Sequence, residues 1–462
     1  MTRVLPAFVL AGVFFLVPAV SAQRGNPSVQ FNDQTIDQMI AAFMAERQIP
    51  GVTLAIVQAP YISRIVGYGV TNVETKRLAS PKTLWNVGQM ARAYTAVAIM
   101  QLVEAGQLKL DDAVAKHVPG LPAMWQPVTV KQLLAHASGI PDYTTRPGFD
   151  PARRYTRAEL LALVRDARPE FTPDMQVMPS ATDFLLLAQI VEHASGMSYE
   201  AYVTRNQIER LHLNHTLFAG SLPAVKQEAL DAPGAKHTAF LTDRSFIDPA
   251  ETATGYTGKD GALTPGRDPH DSTWYGHQAI FASAEDISLW DIGLAGGLLV
   301  SAKENRDLLY QPATIGGGIV VPVHGGWRFP RHPGLMDIEG NVPGYSCYLA
   351  RFTAPTELLC VTLCGNRDGI DFVNLGRRIA GAFDPKLGPS TRAKTARESA
   401  YSVDGTKDRL EAFLTSKGGS SLMASVRVWQ ETDGTVWAGY DDVEPSQRNA
   451  IEAAVRYATT PY

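Results

Sequence analysis

The sequence predicts an α+β fold in which strands at both ends of the main body enclose a mostly helical middle. Three stretches carry that prediction. GVTLAIV at 51–57 is a short continuous apolar run, the pattern of a buried strand. LWNVGQMARAYTAVAIMQLVEAGQLKLDD at 84–112 has a nearly unbroken apolar run from Ala93 to Met100. It lies between Gly88, which marks a turn, and Gly106, which closes the helix. A helix apolar all round is buried. YSCYLARF and ELLCVTLC then read as two strands joined by a turn at Ala354–Thr356.

In chain order, residues 1–22 come first. Arg3 supplies a basic start, Leu5 to Val20 an apolar stretch, and small residues precede Gln23, so the segment reads as a signal peptide cleaved after Ala22. The apolar run is short for a membrane span, and Pro6 and Pro18 interrupt it. No cysteine follows it to carry a lipid anchor, and no later stretch looks transmembrane. The expected location is periplasmic or secreted, with no stable membrane span after cleavage.

The main body is expected at 31–384. GYG at 67–69 reads as a turn. VTVKQLLAHASGIPDY at 128–143 ends a helix in a turn, which gives His136, Ser138 and Gly139 turn and packing roles. LLLAQIVEHASGMSYEAYV at 185–203 and GHQAIFASAEDISLWDIGLAGGLL at 276–299 read as amphipathic helices with glycine stops. A linker is expected at 385–404 and a small α+β appendage at 405–462. In the appendage, DRLEAFL and PSQRNAIEAAVRYA read as helices, and SLMASVRVWQ and TVWAGYD as strands joined at Asp433-Gly434. Trp429, Trp437 and Tyr440 read either as the core of that sheet or as a binding face.

With 462 residues, 45% of them hydrophobic, the chain can bury a large core and allows two or three domains. A net charge of −4 without long basic clusters gives no electrostatic case for nucleic acid. Cys347, Cys360 and Cys364 are the only cysteines. Counting register outward from the turn sets Cys347 opposite Cys364. Two readings stand, a cross-strand disulfide and three buried thiols. No histidine has ligand-like spacing to them, so no metal is expected, and no cofactor.

Through GVTLAIV, GYG, the 84–112 helix and the later segments quoted above, the chain resembles the serine β-lactamase and penicillin-binding protein family, in its class C and esterase-like branch. The resemblance implies a β-lactamase/transpeptidase-like architecture: an antiparallel sheet assembled from both chain ends, flanked by helices, with a helical subdomain and a site in the cleft between them. In that family the helix opens with Ser-x-x-Lys. Aligned without a gap through Gly88 and TAVAIMQLVEAGQL, Gln89 takes the serine position and Arg92 the lysine position. Spacing i, i+3 keeps both on one helical face. A Gln amide has no deprotonatable nucleophile, and an Arg guanidinium stays protonated and cannot act as a base. Thr95 lies six residues on from Gln89 and reads as core.

The family's second motif is Tyr-x-Asn. Anchored on Pro173 and on Phe184-Leu185-Leu186, it falls on Pro179, Ser180 and Ala181, which supply neither proton relay nor amide. The third is Lys-Thr-Gly or His-x-Gly. Pro343-Gly344-Tyr345 fixes its register on Ile338-Glu339-Gly340, where only the glycine is kept. Ile338 removes a donor, and Glu339 would repel an anionic substrate. The backbone N–H groups of Gln89 and Asn341 remain as an oxyanion-hole-like pair. Arg92 either pairs with Glu339 or Asp183 or binds a ligand carboxylate.

The leading reading is therefore an exported, non-catalytic member of the family that binds a small-molecule or peptide ligand, or a protein partner. It has no catalytic residues, and Gln89, Arg92, Ser180, Glu339 and Asn341 are its ligand-binding candidates. An alternative is an esterase, amidase or D-amino-acid peptidase using non-standard residues: Ser180, His277 with Tyr275, or Ser346. A second alternative is a regulatory or structural subunit of another enzyme.

Overall fold

A computed structural model describes residues 29–59, 61–222, 252–258, 262–266, 274–330, 335–354 and 357–389, with strands at 399–403, 426–430 and 436–440. Residues 1–22, which read as a signal peptide, and the two helical patterns of the appendage lie outside the described residues. The principal elements are α1 (Ile36–Arg47), β1 (Gly51–Gln58), β2 (Tyr61–Gly69), α2 (Ala91–Glu104), α3 (Ala181–Ser195) and α4 (Ala284–Ala295). They are followed by β3 (Val323–His324), β4 (Trp327–Arg328), β5 (Leu335–Val342), β6 (Tyr345–Ala354), β7 (Glu357–Gly365) and α5 (Val373–Gly381).

Seven strands form one sheet in the order β3-β4-β5-β6-β7-β1-β2, with every neighbouring pair antiparallel. The early hairpin β1-β2 thus joins the late strands by the pairing of β1 with β7, from Val52↔Gly365 to Gln58↔Leu359. Side chains alternate across the sheet. On one face Val52, Leu54, Ile56, Phe352 and Val361 pack against Met39 and Ile40 of α1 and Leu375 and Ile379 of α5. On the other face Ile338 and Leu349 join the larger core that contains α2 and α3.

Helix α2 lies inside that core, with every residue from Ala91 to Leu102 buried. Gly106 beyond its end takes φ +69, the left-handed conformation that terminates helices. Thr95 is fully buried and hydrogen-bonded to Tyr199 Oη and the Gly276 carbonyl, as its position six residues from Gln89 suggested.

Three local expectations change. GYG at 67–69 is the end of β2 and not a turn. Gly67 is needed because a Cβ there would lie 2.0 Å from the Ala79 carbonyl oxygen, so the glycine serves a close backbone approach. Segment 276–299 is not one helix: Ile280–Ala282 is a strand between Trp85–Asn86 and Thr216–Phe218, and Ser283 then caps α4 by accepting from the Asp286 N–H. Segment 185–203 splits where Gly196 turns left-handed (φ +71) and Ser198 caps the helix Tyr199–Val203.

Cys347 and Cys364 are register partners on β6 and β7 and form a disulfide with Cα atoms 4.1 Å apart; Cys360 is a buried free thiol. The cross-strand reading is the one observed. The bridge closes a sequence separation of 17 residues, for which the chain-entropy argument gives about 3 kcal/mol. Reduction, or paired replacement by serine, is expected to lower the thermal midpoint by several degrees. An unchanged melt in reductant, with reduction verified by mass, would contradict this.

Strands Ser399–Val403, Val436–Tyr440 and Val426–Gln430 form a separate sheet in that spatial order. The first lies within the stretch expected to be linker, and Pro385–Leu387, at the start of that stretch, is a 3-10 turn whose Leu387 is buried with α1 and α5. The two predicted strands pair as expected, with Trp429 opposite Trp437.

Candidate functional site

One 3-10 turn, Gly88–Met90, precedes α2 and rests on β5, backbone against backbone. A Cβ on Gly340 would lie 1.8 Å from the Val87 carbonyl oxygen, and one on Gly88 (φ +56) would lie 2.8 Å from Asn341 N. This close approach sets the Gln89 side chain beside Asn341, and Gln89 Oε1 accepts a hydrogen bond from the Asn341 N–H at 2.6 Å. The pair of backbone donors expected from Gln89 and Asn341 is therefore not open as such. The Asn341 donor is already held by an uncharged amide oxygen from the position that the resemblance assigns to the nucleophile. The Asn341 side chain accepts from the Gly369 N–H at 2.9 Å and so braces the neighbouring loop.

Arg92 lies one turn further, 9% exposed, with its guanidinium carbon 5.4 Å from the Phe184 ring centre. Its charge acts on His136, Asp183, Tyr143 and His277. The expected pairing with Glu339 is not what forms. Adjacent strand residues face opposite ways, so Ile338 enters the α2 core while Glu339 shares the other face with its register partner Tyr348. There Glu339 pairs with Arg328 at 2.9 Å, and Arg328 Nε donates to Asp337 at 2.7 Å. Glu339 is thus turned away from Arg92 and is removed from the ligand-binding candidates. Burial pushes its carboxyl up to about 7, against the pull of Arg328, with Asp337 and Asp371 adding to the rise.

At the second motif, Ser180 precedes α3, Pro179 is half-buried and Ala181 is buried in the first turn. Ser180 is 1% exposed, and its Oγ has no hydrogen-bond partner. Its N–H lies 3.3 Å from His136 Nδ1. Asp183, fully buried, accepts from Ser138 Oγ at 2.5 Å and lies 3.0 Å from His136 Nδ1. This set contains Ser, His and Asp but has the wrong order for nucleophilic catalysis. The carboxylate sits between the hydroxyl and the imidazole, so no base faces the serine oxygen. Burial drives Asp183 well above the usual carboxylate range and His136 well below the usual imidazole range, which favours the neutral form of each. The turn and packing roles expected of His136 and Ser138 fit this arrangement.

The other catalytic candidates are not brought together. Tyr275 Oη donates to Glu192 and not to His277. His277 Nε2 instead meets Tyr143 Oη at 2.7 Å, both residues buried. Burial raises the Tyr143 phenol well above its ordinary value, so it keeps its proton and offers no base. Ser346 Oγ donates to the Arg367 carbonyl at 2.8 Å and accepts from the Ile370 N–H at 3.1 Å, which commits it to the loop. Sequence reading passed over Tyr143 and Arg328. Tyr143 meets a partner 134 residues away, and nothing local announces it. Among the described residues, no group of three or more His, Cys, Asp or Glu side chains is placed to hold a metal ion, and no helix is long and apolar enough to cross a membrane.

Residues 36–371 match the family model described as Beta-lactamase. Protein flp of Staphylococcus aureus is 30% identical over 203 residues, 43% of this chain and 41% of that relative. The chain therefore spans less than half the length of such curated relatives. Among solved structures, a penicillin-binding protein from Bacillus halodurans superposes with TM-score 0.57 at 20% identity, covering 75% of this chain and 98% of its own. D-amino acid amidase from Ochrobactrum anthropi superposes with TM-score 0.60 at 17% identity, covering 76% and 98%. At these identities the superpositions speak for the fold.

Proposed function

The chain belongs to the beta-lactamase family, and from that premise we propose that it is an exported, non-catalytic member that uses its cleft to bind a ligand. One observation carries the reading: the Gln89 carboxamide occupies the Asn341 N–H from the nucleophile position. An amide oxygen there satisfies the donor that acyl chemistry would need, and it brings no group able to form an acyl-enzyme. Ile338 in the core and Ala181 at the start of α3 support the same conclusion, since they leave the cleft without the donor and the amide of those motifs, and neither Pro179 nor the proton-retaining Tyr143 supplies a relay base.

The ligand class we propose is a peptide or amide containing a D-amino acid, on the strength of the printed names of structural neighbours, a D-amino acid amidase and a D-stereospecific amidohydrolase. Gln89, Arg92, Ser180 and Asn341 are the binding candidates. Export is supported by the Cys347–Cys364 disulfide and the signal-like segment 1–22, and a periplasmic or secreted location follows from it. A body at about 31–384 with a C-terminal α+β unit is part of the same proposal.

The test is covalent labelling of the purified chain with a fluorescent penicillin and a fluorophosphonate, alongside turnover of nitrocefin and simple esters. The expected result is no stoichiometric adduct and no turnover above buffer, with thermal stabilisation by D-amino-acid peptides. Stoichiometric labelling would overturn the non-catalytic reading.

A further inference from the structure

At the far end of α3 from the cleft, two imidazoles face one another. His117 follows the 3-10 turn Val114–Lys116 and is 5% exposed; His193 is in the last turn of α3 and exposed. Their Nδ1 atoms are 3.2 Å apart, with the rings crossed at 76°. His117 Nε2 lies 3.2 Å from Asp112 Oδ2, and Asp112 is itself fixed by the Lys109 N–H and by Lys116 Nζ. From these contacts we propose that His117 and His193 form a two-nitrogen site for a divalent transition metal such as zinc, nickel or copper, with Asp112 as the positioning carboxylate and water completing the coordination.

The argument starts from tautomers. Asp112 is ion-paired with Lys116 Nζ at 2.8 Å and accepts from the Lys109 N–H, so its Oδ2 stands as the acceptor for a proton carried on His117 Nε2. That leaves a lone pair on His117 Nδ1, directed at His193. A carboxylate on the far nitrogen of a buried imidazole is the arrangement that orients metal-binding histidines. Two nitrogens bound tetrahedrally to zinc at ordinary bond lengths lie roughly 3.3 Å apart, which is the spacing observed. His193 needs only to carry its proton on Nε2, so that both Nδ1 lone pairs converge.

The electrostatics are mixed and net favourable. Lys116 opposes a cation but is spent on Asp112, while His193 lies in the last turn of the 15-residue helix α3, whose C-terminal end favours positive charge. Imidazole donors with water as co-ligand suit zinc, nickel and copper more than magnesium or calcium. From Asp183 to His193 the helix rises roughly 15 Å, so the site is distinct from the cleft and its existence does not depend on the reading of the cleft.

The experiment is calorimetric titration of the untagged full chain with Zn²⁺, repeated with magnesium, and an electron spin resonance spectrum with one equivalent of Cu²⁺. The expected result is one zinc per chain, no magnesium, and a copper signal split by two nitrogens. His117→Ala and His193→Ala should each abolish binding, and Asp112→Asn should weaken it by about 10- to 100-fold. Circular dichroism without metal establishes that each variant folds. His193 is exposed, so its variant keeps the test decisive even where His117→Ala disturbs packing. No zinc uptake by the native chain, or uptake unchanged in folded His193→Ala, would overturn the proposal and leave the contact as a shared-proton hydrogen bond.

Discussion

Replacing Arg328 with methionine is expected to remove about 3–5 kcal/mol of folding stability above neutral pH, and clearly less near pH 5. Among the described residues, Arg328 is the one cation among the partners that link Asp337, Glu339 and Tyr348 across β4, β5 and β6. Asp337 is fully buried and holds both Arg328 Nε and the Tyr348 hydroxyl. Methionine preserves most of the volume and the apolar stem, so the loss reports the charge.

The pH dependence follows from Glu339, whose carboxyl rises from 4.5 to about 7 because it is buried. A folded value above the unfolded one means that the native state holds the proton more tightly. This contribution to stability is complete below 4.5 and is lost as pH rises through about 7. Arg328 is the largest influence opposing that rise. Without it, Glu339 keeps its proton to higher pH, and once ionised it stands beside Asp337 with no cation. Denaturant midpoints of Arg328→Met and the native chain, measured near pH 5 and near pH 8, should therefore diverge with pH. A difference of under about 1 kcal/mol at both, the size of a surface pair, would show that the network is not what holds this edge of the sheet.

That Glu339 would turn away from the cleft was legible in principle. Strand alternation requires neighbours to face opposite ways, and an apolar Ile338 at the cleft position already put Glu339 behind the sheet. Reading the motif as a string of three residues hid this. The strand order around the disulfide was legible because a tight turn fixes register, and counting outward from it pairs Cys347 with Cys364. The buried α2 was legible from its composition. What could not be read were contacts set by the distant chain. Tyr143 meets His277 across the helical subdomain, and Gln89 reaches an amide 252 residues away. Gly67 looked like a turn residue because glycine permits turns and close approaches alike, and only the path of Ala79 decides between them. The strand Ser399–Val403, inside the stretch that reads as linker, was not legible for a related reason, since it forms by pairing with Val436–Tyr440.

Gly340→Ala is expected to destabilise the chain by roughly 3 kcal/mol or more, with the damage centred on the cleft. The added Cβ would sit 1.8 Å from the Val87 carbonyl oxygen and 2.7 Å from its carbon. Both are backbone atoms, so no rotamer change relieves the clash, and β5 must separate from the turn Gly88–Met90. Separation breaks the Gln89–Asn341 hydrogen bond, so exchange of the Asn341 amide with solvent should accelerate far more than that of amides in β7. Gly317→Ala is the control: its φ is +73 but nothing lies within 4 Å of the added atom, so it costs only the left-handed penalty of about 1–2 kcal/mol. A Gly340→Ala melt within about 2 °C of the native one, well below the shift that 3 kcal/mol implies, would remove the argument. If the loss is as large as expected, it also bears on function. Gly340 is the only residue kept from the third motif, and a glycine that the packing of two backbones demands is no sign of retained catalysis. Its presence is then explained by the same contact that brings the Gln89 amide onto the Asn341 donor.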